Sequence, residues 1–188
     1  ASDSVAYGSV IVTPEAPAKE GHTFSGWSDI PETMPAEDVT VTGSFAVNKY
    51  KLTYVVDGNV FHTDSVAYGS RLSAIDEPVK DGCTFSGWVG LPEFMPAKDV
   101  TVTGSFVTNG YKLTYMVDGE IYKTIVVEYG TAITPEEAPV KEGHTFSGWS
   151  DIPETMPAED VTVTGSFAVN KYKLTYVVDG AEYHTDSV

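Results

Sequence analysis

Short runs in which apolar and polar residues alternate occur along the whole chain, as expected of half-buried β-strands. Residues 50–56 read Y-K-L-T-Y-V-V and residues 60–68 read V-F-H-T-D-S-V-A-Y. Between them stands Asp57-Gly58, a strong signal for a tight hairpin turn because glycine accepts a positive φ. This stretch therefore predicts a β-hairpin.

Two further strands are predicted downstream of the hairpin. Residues 84–88 form a short candidate, and residues 100–106, V-T-V-T-G-S-F, alternate as one longer strand. The proline-punctuated segment Leu91–Asp99 separates them as a loop. In the crossover of the next copy, Thr134 and Pro135 could begin a helix, but Pro139 ends it, so at most one helical turn fits.

The same pattern returns every 61 residues, as from Tyr50 to Tyr111 and from Tyr111 to Tyr172. We therefore expect a mainly β chain, a tandem array of modules of about this length with little or no helix. The predicted organisation is a partial repeat that lacks its first hairpin, two complete repeats and the first hairpin of a further repeat; these are residues 1–49, 50–110, 111–171 and 172–188.

Composition narrows the function classes. Apolar residues make up 41% of the chain, enough for small cores, and the net charge is -16 with only 11 lysines and arginines. A nucleic-acid-binding protein needs a basic face, so this class is disfavoured. No apolar run is long enough for membrane insertion.

Residues that could carry chemistry do not form a recognisable catalytic or cofactor set. Cys83 is the single cysteine, and His22 and His144 take its place in the other copies, which indicates a partly exposed position. The segment 62–65, H-T-D-S, lies on one strand whose side chains alternate in direction, so it cannot form a triad. We predict no enzyme, no catalytic residue and no cofactor.

The loop carboxylates could hold calcium, because calcium takes six to eight oxygen ligands. The middle repeat has Gly90 and Lys98 where other copies have acidic residues, so we predict no metal site. The loop carboxylates in question are Asp29, Glu32, Glu37 and Asp38.

Large aromatic residues have two interpretations. Trp27, Trp88 and Trp149 could stack on sugars, but the favoured interpretation is that each anchors the core of its module; the same holds for Tyr54, Tyr68, Tyr115 and Tyr129. Phe94 stands where the other copies have threonine, and it is the candidate contact for a partner. It could equally fold back on its own repeat.

The phrases G-H-T-F-S-G-W, M-P-A-E-D-V-T-V-T-G-S-F and Y-K-L-T-Y-V-V-D-G resemble the internalin B-repeat family, also called the Listeria–Bacteroides repeat. The resemblance covers the whole chain. It implies a compact β-grasp-like module, tandem copies on exported bacterial surface proteins, and no catalytic residues. It departs from the family at His22, Cys83 and His144, where an aromatic residue is usual.

Residues 19–66 and 141–188 differ at three positions only, whereas the middle repeat differs more. Either the duplication is recent or two unit types alternate. The first and last segments complement each other, so head-to-tail self-association through unpaired strand edges is one hypothesis. The plainer alternative is an arbitrary fragment of a longer array.

The expected function is a non-enzymatic stalk or spacer of an extracellular bacterial surface protein, with neighbouring repeats of the same chain as its first partners. The alternatives are direct binding of a glycan or host protein through residues around Phe94, and a head-to-tail fibre subunit.

Overall fold

The computed structural model describes the backbone of residues 4–187 and the side chains of residues 4–185. The first predicted segment begins at residue 1 and the last ends at residue 188, so residues 1–3 and 188 of these predictions lie outside the described residues. Within it every regular element is a strand, and no helix occurs. The fourteen strands are β1 His22–Trp27, β2 Gly43–Val47, β3 Lys49–Val56, β4 Asn59–Ala67, β5 Cys83–Phe85, β6 Val100–Gly104, β7 Phe106–Thr108, β8 Gly110–Val117, β9 Glu120–Glu128, β10 His144–Phe146, β11 Val161–Gly165, β12 Phe167–Val169, β13 Lys173–Val178 and β14 Ala181–Ser187. The predicted β class is thus confirmed.

Each predicted hairpin forms, and its turn explains the Asp-Gly pair. Asp57 and Gly58 have φ values of 49° and 80°, the two positive values that a type I′ turn requires. The Asp57 carboxylate then accepts a hydrogen bond from the amide of Phe106 at 3.1 Å. The turn is therefore tied to the end of the same repeat.

The hairpin becomes a three-stranded sheet when the later strand joins it. β3 lies in the centre, with β4 antiparallel on one side and β6 parallel on the other, and the next repeat has β8 between β9 and β11 in the same way. A central first strand with a parallel last strand is the order expected of a β-grasp-like module. A second, two-stranded ribbon forms in each copy, from the pairs β1–β2, β5–β7 and β10–β12.

Two strand predictions need correction. The run 100–106 is not one strand: it breaks at Ser105, because β6 pairs with β3 whereas β7 pairs with β5 in a different sheet. The Ser105 amide donates to the hydroxyl of Ser86 at 3.0 Å at this crossing point. The strand predicted at 84–88 ends at Phe85, and Gly87 has a φ of 84°.

The core of each complete repeat lies between the three-stranded sheet and the loop that precedes its last strand. Leu52, Tyr54, Met95 and Val102 are buried in the middle repeat. The equivalent residues of the next repeat, which are also buried, are Leu113, Tyr115, Met156 and Val163. The pattern repeats because the 61-residue period returns the same side chain to the same place.

The chain divides into two compact units. One consists of the residues up to Pro78 together with Phe85–Phe106, and the other of Val79–Thr84 together with the residues from Val107 onwards. Both complete three-stranded sheets therefore lie wholly within one unit each.

Candidate functional site

The candidate site is the segment Leu91–Asp99, which we call the proline loop. Backbone hydrogen bonds fix it against residues 69–72: the Met95 amide donates to Ser70 at 2.9 Å, and the Leu72 amide donates to Glu93 at 2.8 Å. The Met95 side chain is 1% exposed and forms part of the core. The proline loop is therefore anchored at its centre.

Phe94 lies between these two anchored residues and opposite Arg71, with which it forms an isolated antiparallel bridge. Successive side chains of extended backbone point to opposite sides, so the burial of Met95 directs Phe94 outward. The Phe94 side chain is 51% exposed, so this residue does not fold back into its own core. An exposed aromatic ring in a fixed backbone loses little entropy when a partner covers it.

Arg71 is the only arginine of the chain, and sequence reasoning did not include it in the site. Valine and alanine stand at the equivalent positions Val10 and Ala132, so comparison of the copies could have found it. Its guanidinium lies 3.8 Å from the Glu93 carboxylate, and both side chains are about two thirds exposed or more. Such an exposed pair adds little stability, so Arg71 is available to a partner.

The residues just before the proline loop differ from their counterparts, and one of them, Gly90, has a φ of 91°. Before it, Val89 exchanges two backbone hydrogen bonds with Thr103, at 2.8 and 2.9 Å. In the third copy the hydroxyl of Ser150 accepts the equivalent amide hydrogen instead. A cavity of about 430 Å³ lies beside the loop and is lined by Gly90, Pro92, Pro96, Lys98, Asp99, Val100 and Thr101.

Charge also separates the proline loop from its counterparts. Residues 29–38 of the first copy include four carboxylates and no cation, namely Asp29, Glu32, Glu37 and Asp38. The equivalent residues 90–99 of the middle repeat have Gly90 and Lys98 in place of two of them. Arg71, Phe94 and Lys98 together make this part of the acidic chain more basic and more aromatic than its copies.

The tryptophans pack against the cores. Trp88 and Trp149 contact the two core clusters, and their indole nitrogens donate to backbone carbonyls at 3.1 and 2.8 Å. Trp27 donates in the same way to Pro14 at 3.3 Å. Each ring thus has its polar atom satisfied inside its module, as a structural anchor does.

The equivalents of the calcium candidate Asp38 in the two later copies have structural roles. Asp99 and Asp160, which precede the last strands, accept hydrogen bonds from the amides of Lys51 and Lys112 at 2.8 Å. Among the side chains of residues 4–185, no group of three histidine, cysteine, aspartate or glutamate residues is placed so that it could hold a metal ion.

In the H-T-D-S segment, His62 and Asp64 share one side of β4 and lie 2.9 Å apart. Ser65 pairs with Lys51 and points to the other side, so these three residues do not form a triad. Cys83 is partly buried, like its counterparts.

These geometries define a chain of small β-modules with exposed loops. The profile of the Listeria-Bacteroides repeat domain matches residues 1–44, 50–108 and 111–167. The chain belongs to this family of surface-protein repeats, as the resemblance predicted.

Two relatives illustrate the setting of such repeats. Internalin H of Listeria monocytogenes is 36% identical over 57% of this chain and 23% of its own length. A protein of Evansella cellulosilytica named "Putative membrane protein" is 28% identical over 94% of this chain and 31% of its own length. The chain thus spans less than a third of the length of each of these two relatives. Its described residues include no helix long and apolar enough to cross a membrane.

Proposed function

We propose that the chain is a non-enzymatic stalk of an extracellular bacterial surface protein, in which 50–110 and 111–171 are the complete modules. The observation that carries this proposal is the link between modules. A single residue, Asn109, separates β7 from β8, and Asn48 likewise separates β2 from β3. A one-residue link leaves little freedom to the chain between the two strands that it joins.

Hydrogen bonds restrict that link further. The Asn109 amide donates to Gly82 at 2.8 Å, and the Asn109 carbonyl accepts from the amide of Tyr129 at 2.9 Å. The Asn109 side-chain oxygen accepts from the hydroxyl of Thr84 at 2.7 Å. Asn48 makes the equivalent three contacts in the preceding copy. A stalk that keeps a fixed length needs hydrogen-bonded links of this kind between its modules.

Single-molecule energy transfer tests the stalk proposal. Fluorophores are placed at Thr13→Cys and Thr185→Cys in a Cys83→Ser background, and the width of the distance distribution is measured. We expect a narrow distribution that broadens when Gly-Gly-Ser is inserted after Asn109. If the uninterrupted chain is already as broad as the insertion variant, the modules are loosely connected and the proposal is wrong.

A second candidate function is direct binding through the proline loop. The fixed, half-exposed ring of Phe94 beside Arg71 supports it, because aromatic and arginine side chains are enriched at binding hot spots. Glycan and host-protein arrays probed with the chain would give signals that Phe94→Ala removes. Thr155→Ala, at the equivalent position of the next repeat, is the matched control and should leave them unchanged. An array without signals, or signals that survive Phe94→Ala, would contradict this function.

A third candidate is head-to-tail assembly with a second copy of the chain. Leu174 and Tyr176 of the β13–β14 hairpin are 45% and 49% exposed, although their equivalents Leu113 and Tyr115 are 1% exposed. By the register of the other repeats, Val39 of a second copy would pair with Leu174. Residues 39–42 form no strand by themselves, so they are available for such pairing.

Analytical ultracentrifugation tests this third candidate. We expect concentration-dependent association that Leu174→Asp abolishes, because a charge cannot be buried in the shared core. Val60→Asp, on an exposed part of a complete repeat, is the control. A chain that stays monomeric at high concentration would exclude assembly.

A further inference from the structure

The middle repeat has a second concave surface, distant in sequence from the proline loop. It lies between strand β4 and the crossover segment, residues 70–82, and its volume of about 300 Å³ is open to solvent. Its lining residues are Phe61, His62, Ile75 and Asp76. We call these four residues the bulge groove.

A β-bulge creates the wall of this groove. In the β3–β4 ladder, Tyr54 pairs with His62 and Val55 pairs with Val60, so Phe61 is an extra residue. A bulge changes the direction of a side chain, and here the Phe61 ring turns toward Trp88, at a centroid distance of 5.9 Å. The ring is still 49% exposed, so it forms a ready apolar surface.

The rest of the wall is rigid. The Trp88 indole packs edge-on against Tyr54 at 4.9 Å, and its nitrogen donates to the carbonyl of Ile75 at 3.1 Å. Tyr54 is 1% exposed. The side chains behind the bulge groove are thus held by the core.

The next repeat contains the same surface with its own occupant. Tyr122 takes the place of Phe61, and its ring meets Trp149 at 6.0 Å with the same interplanar angle of 40°. There the ammonium of Lys123 lies 2.6 Å from the Glu136 carboxylate. Lys123 and Glu136 stand at the positions of His62 and Ile75.

The middle repeat lacks both this ammonium and its Glu136 partner, since Ile75 stands there, but it has carboxylates at Asp76 and Asp64. Asp76 lines the bulge groove, and the Asp64 carboxylate lies 2.9 Å from the lining residue His62. The groove residues include no lysine or arginine. Aromatic faces next to carboxylates attract cations, through the ring quadrupole and through charge.

We propose that the bulge groove binds a lysine side chain from a basic segment of another protein. The aliphatic stem lies on Phe61 and Ile75, and the ammonium meets Asp76 and the Asp64–His62 pair. Strand β4 is at the edge of its sheet, so its outer backbone is open to an extended segment that presents the lysine. In the next repeat Lys123 places an ammonium at the equivalent surface, where Glu136 is its carboxylate partner.

The test is an amide and indole NMR titration of the full chain with the peptide acetyl-Ala-Lys-Val-Lys-Val-Lys-Ala-amide. We expect saturable shifts at Phe61, Ile75, Asp76 and the Trp88 indole, and none at Tyr122 or the Trp149 indole. The peptide with acetylated lysines should cause no shifts, because it lacks the charge.

Matched variants separate a built site from general attraction to an acidic chain. Asp76→Asn should weaken binding about tenfold, the effect of one charge-assisted contact, while Glu137→Gln at the equivalent position of the next repeat changes nothing. The double variant His62→Lys with Ile75→Glu recreates the Lys123–Glu136 pair without changing the net charge. It should abolish binding.

Several results would overturn the proposal. They are the absence of saturable shifts, equal weakening by Asp76→Asn and Glu137→Gln, and unchanged binding by the double variant. Equal binding of an arginine version of the peptide would show that the groove recognises charge and not a lysine. Each variant must first show the spectrum of the folded chain.

Discussion

The joint between two modules can be tested at Gly82, where the next hairpin makes its closest approach. A Cβ atom added there would lie 2.1 Å from Cγ of Tyr129, far inside van der Waals contact. Gly82 also has a φ of 64°, a conformation that L-residues adopt at a cost. Gly82→Ala therefore imposes two separate penalties.

Gly143 separates the two penalties. Its φ is 69°, but none of the described atoms lies within 4 Å of an added Cβ. Backbone strain alone gives Gly143→Ala a loss of about 1–2 kcal/mol in the free energy of unfolding. Displacement of the Tyr129 ring adds about 1–3 kcal/mol for Gly82→Ala, the usual cost of overpacking.

Both glycines belong to the same compact unit, so urea unfolding followed by tryptophan fluorescence compares them directly. Amide hydrogen exchange at Tyr129, whose N–H donates to Asn109, reports on the joint itself. We expect exchange there to be faster in Gly82→Ala and unchanged in Gly143→Ala.

The double variant Gly82→Ala with Tyr129→Ala is the decisive control. With the ring removed, Gly82→Ala should cost no more than Gly143→Ala. If the two single variants are equally destabilised, or if removal of the Tyr129 ring rescues nothing, the ring does not pack on Gly82 and the reasoning is refuted.

Three further predictions compare equivalent positions. Leu113 is 1% exposed, so Leu113→Ala should lower the free energy of unfolding by about 2–5 kcal/mol. Leu174→Ala should lower it by under about 1 kcal/mol. Equal losses of the two variants in thermal unfolding would contradict this. The buried Tyr115 hydroxyl has no partner among the described residues, whereas the Tyr54 hydroxyl donates to a backbone carbonyl at 3.3 Å. In urea unfolding, Tyr115→Phe should therefore raise the free energy of unfolding by about 1 kcal/mol, and Tyr54→Phe should lower it by about as much. Burial, and to a lesser extent the Asp64 carboxylate, raises the pKa of Tyr54. Tyr54 therefore ionises first in the unfolded chain, and the free energy of unfolding should fall as the pH rises above about 10. A pH series in which the free energy of unfolding of Tyr54→Phe falls as steeply would contradict this.

The hairpins could be predicted from sequence because their signals are local. Alternation and the Asp57-Gly58 turn lie within neighbouring residues, and the structure agrees with both. The break at Ser105 could not be predicted in this way. The run on either side alternates without interruption, and only the distant partners β3 and β5 show that it belongs to two sheets.

The candidate sites show the same division. Phe94 could be found because the copies differ at that position, and the structure adds that its backbone is fixed. Phe61 could not be found, because alternation assigns a side chain to one face only where pairing is regular. The bulge depends on the register of β4 against β3, which no local pattern specifies.

The parallel pairing of β3 with β6 has a consequence for synthesis on the ribosome. Leu52 can pair with Val100 only after 48 further residues have been synthesised, and their synthesis takes about 2–10 s at the usual rate of translation. During that interval the hairpin is complete but one face of its sheet is uncovered. The identical sequence V-T-V-T-G also occurs at residues 39–43, which precede the hairpin, and at residues 161–165, which follow it. The order in which the strands emerge thus favours residues 100–104 over the later copy, and a chain refolded from denaturant loses that advantage.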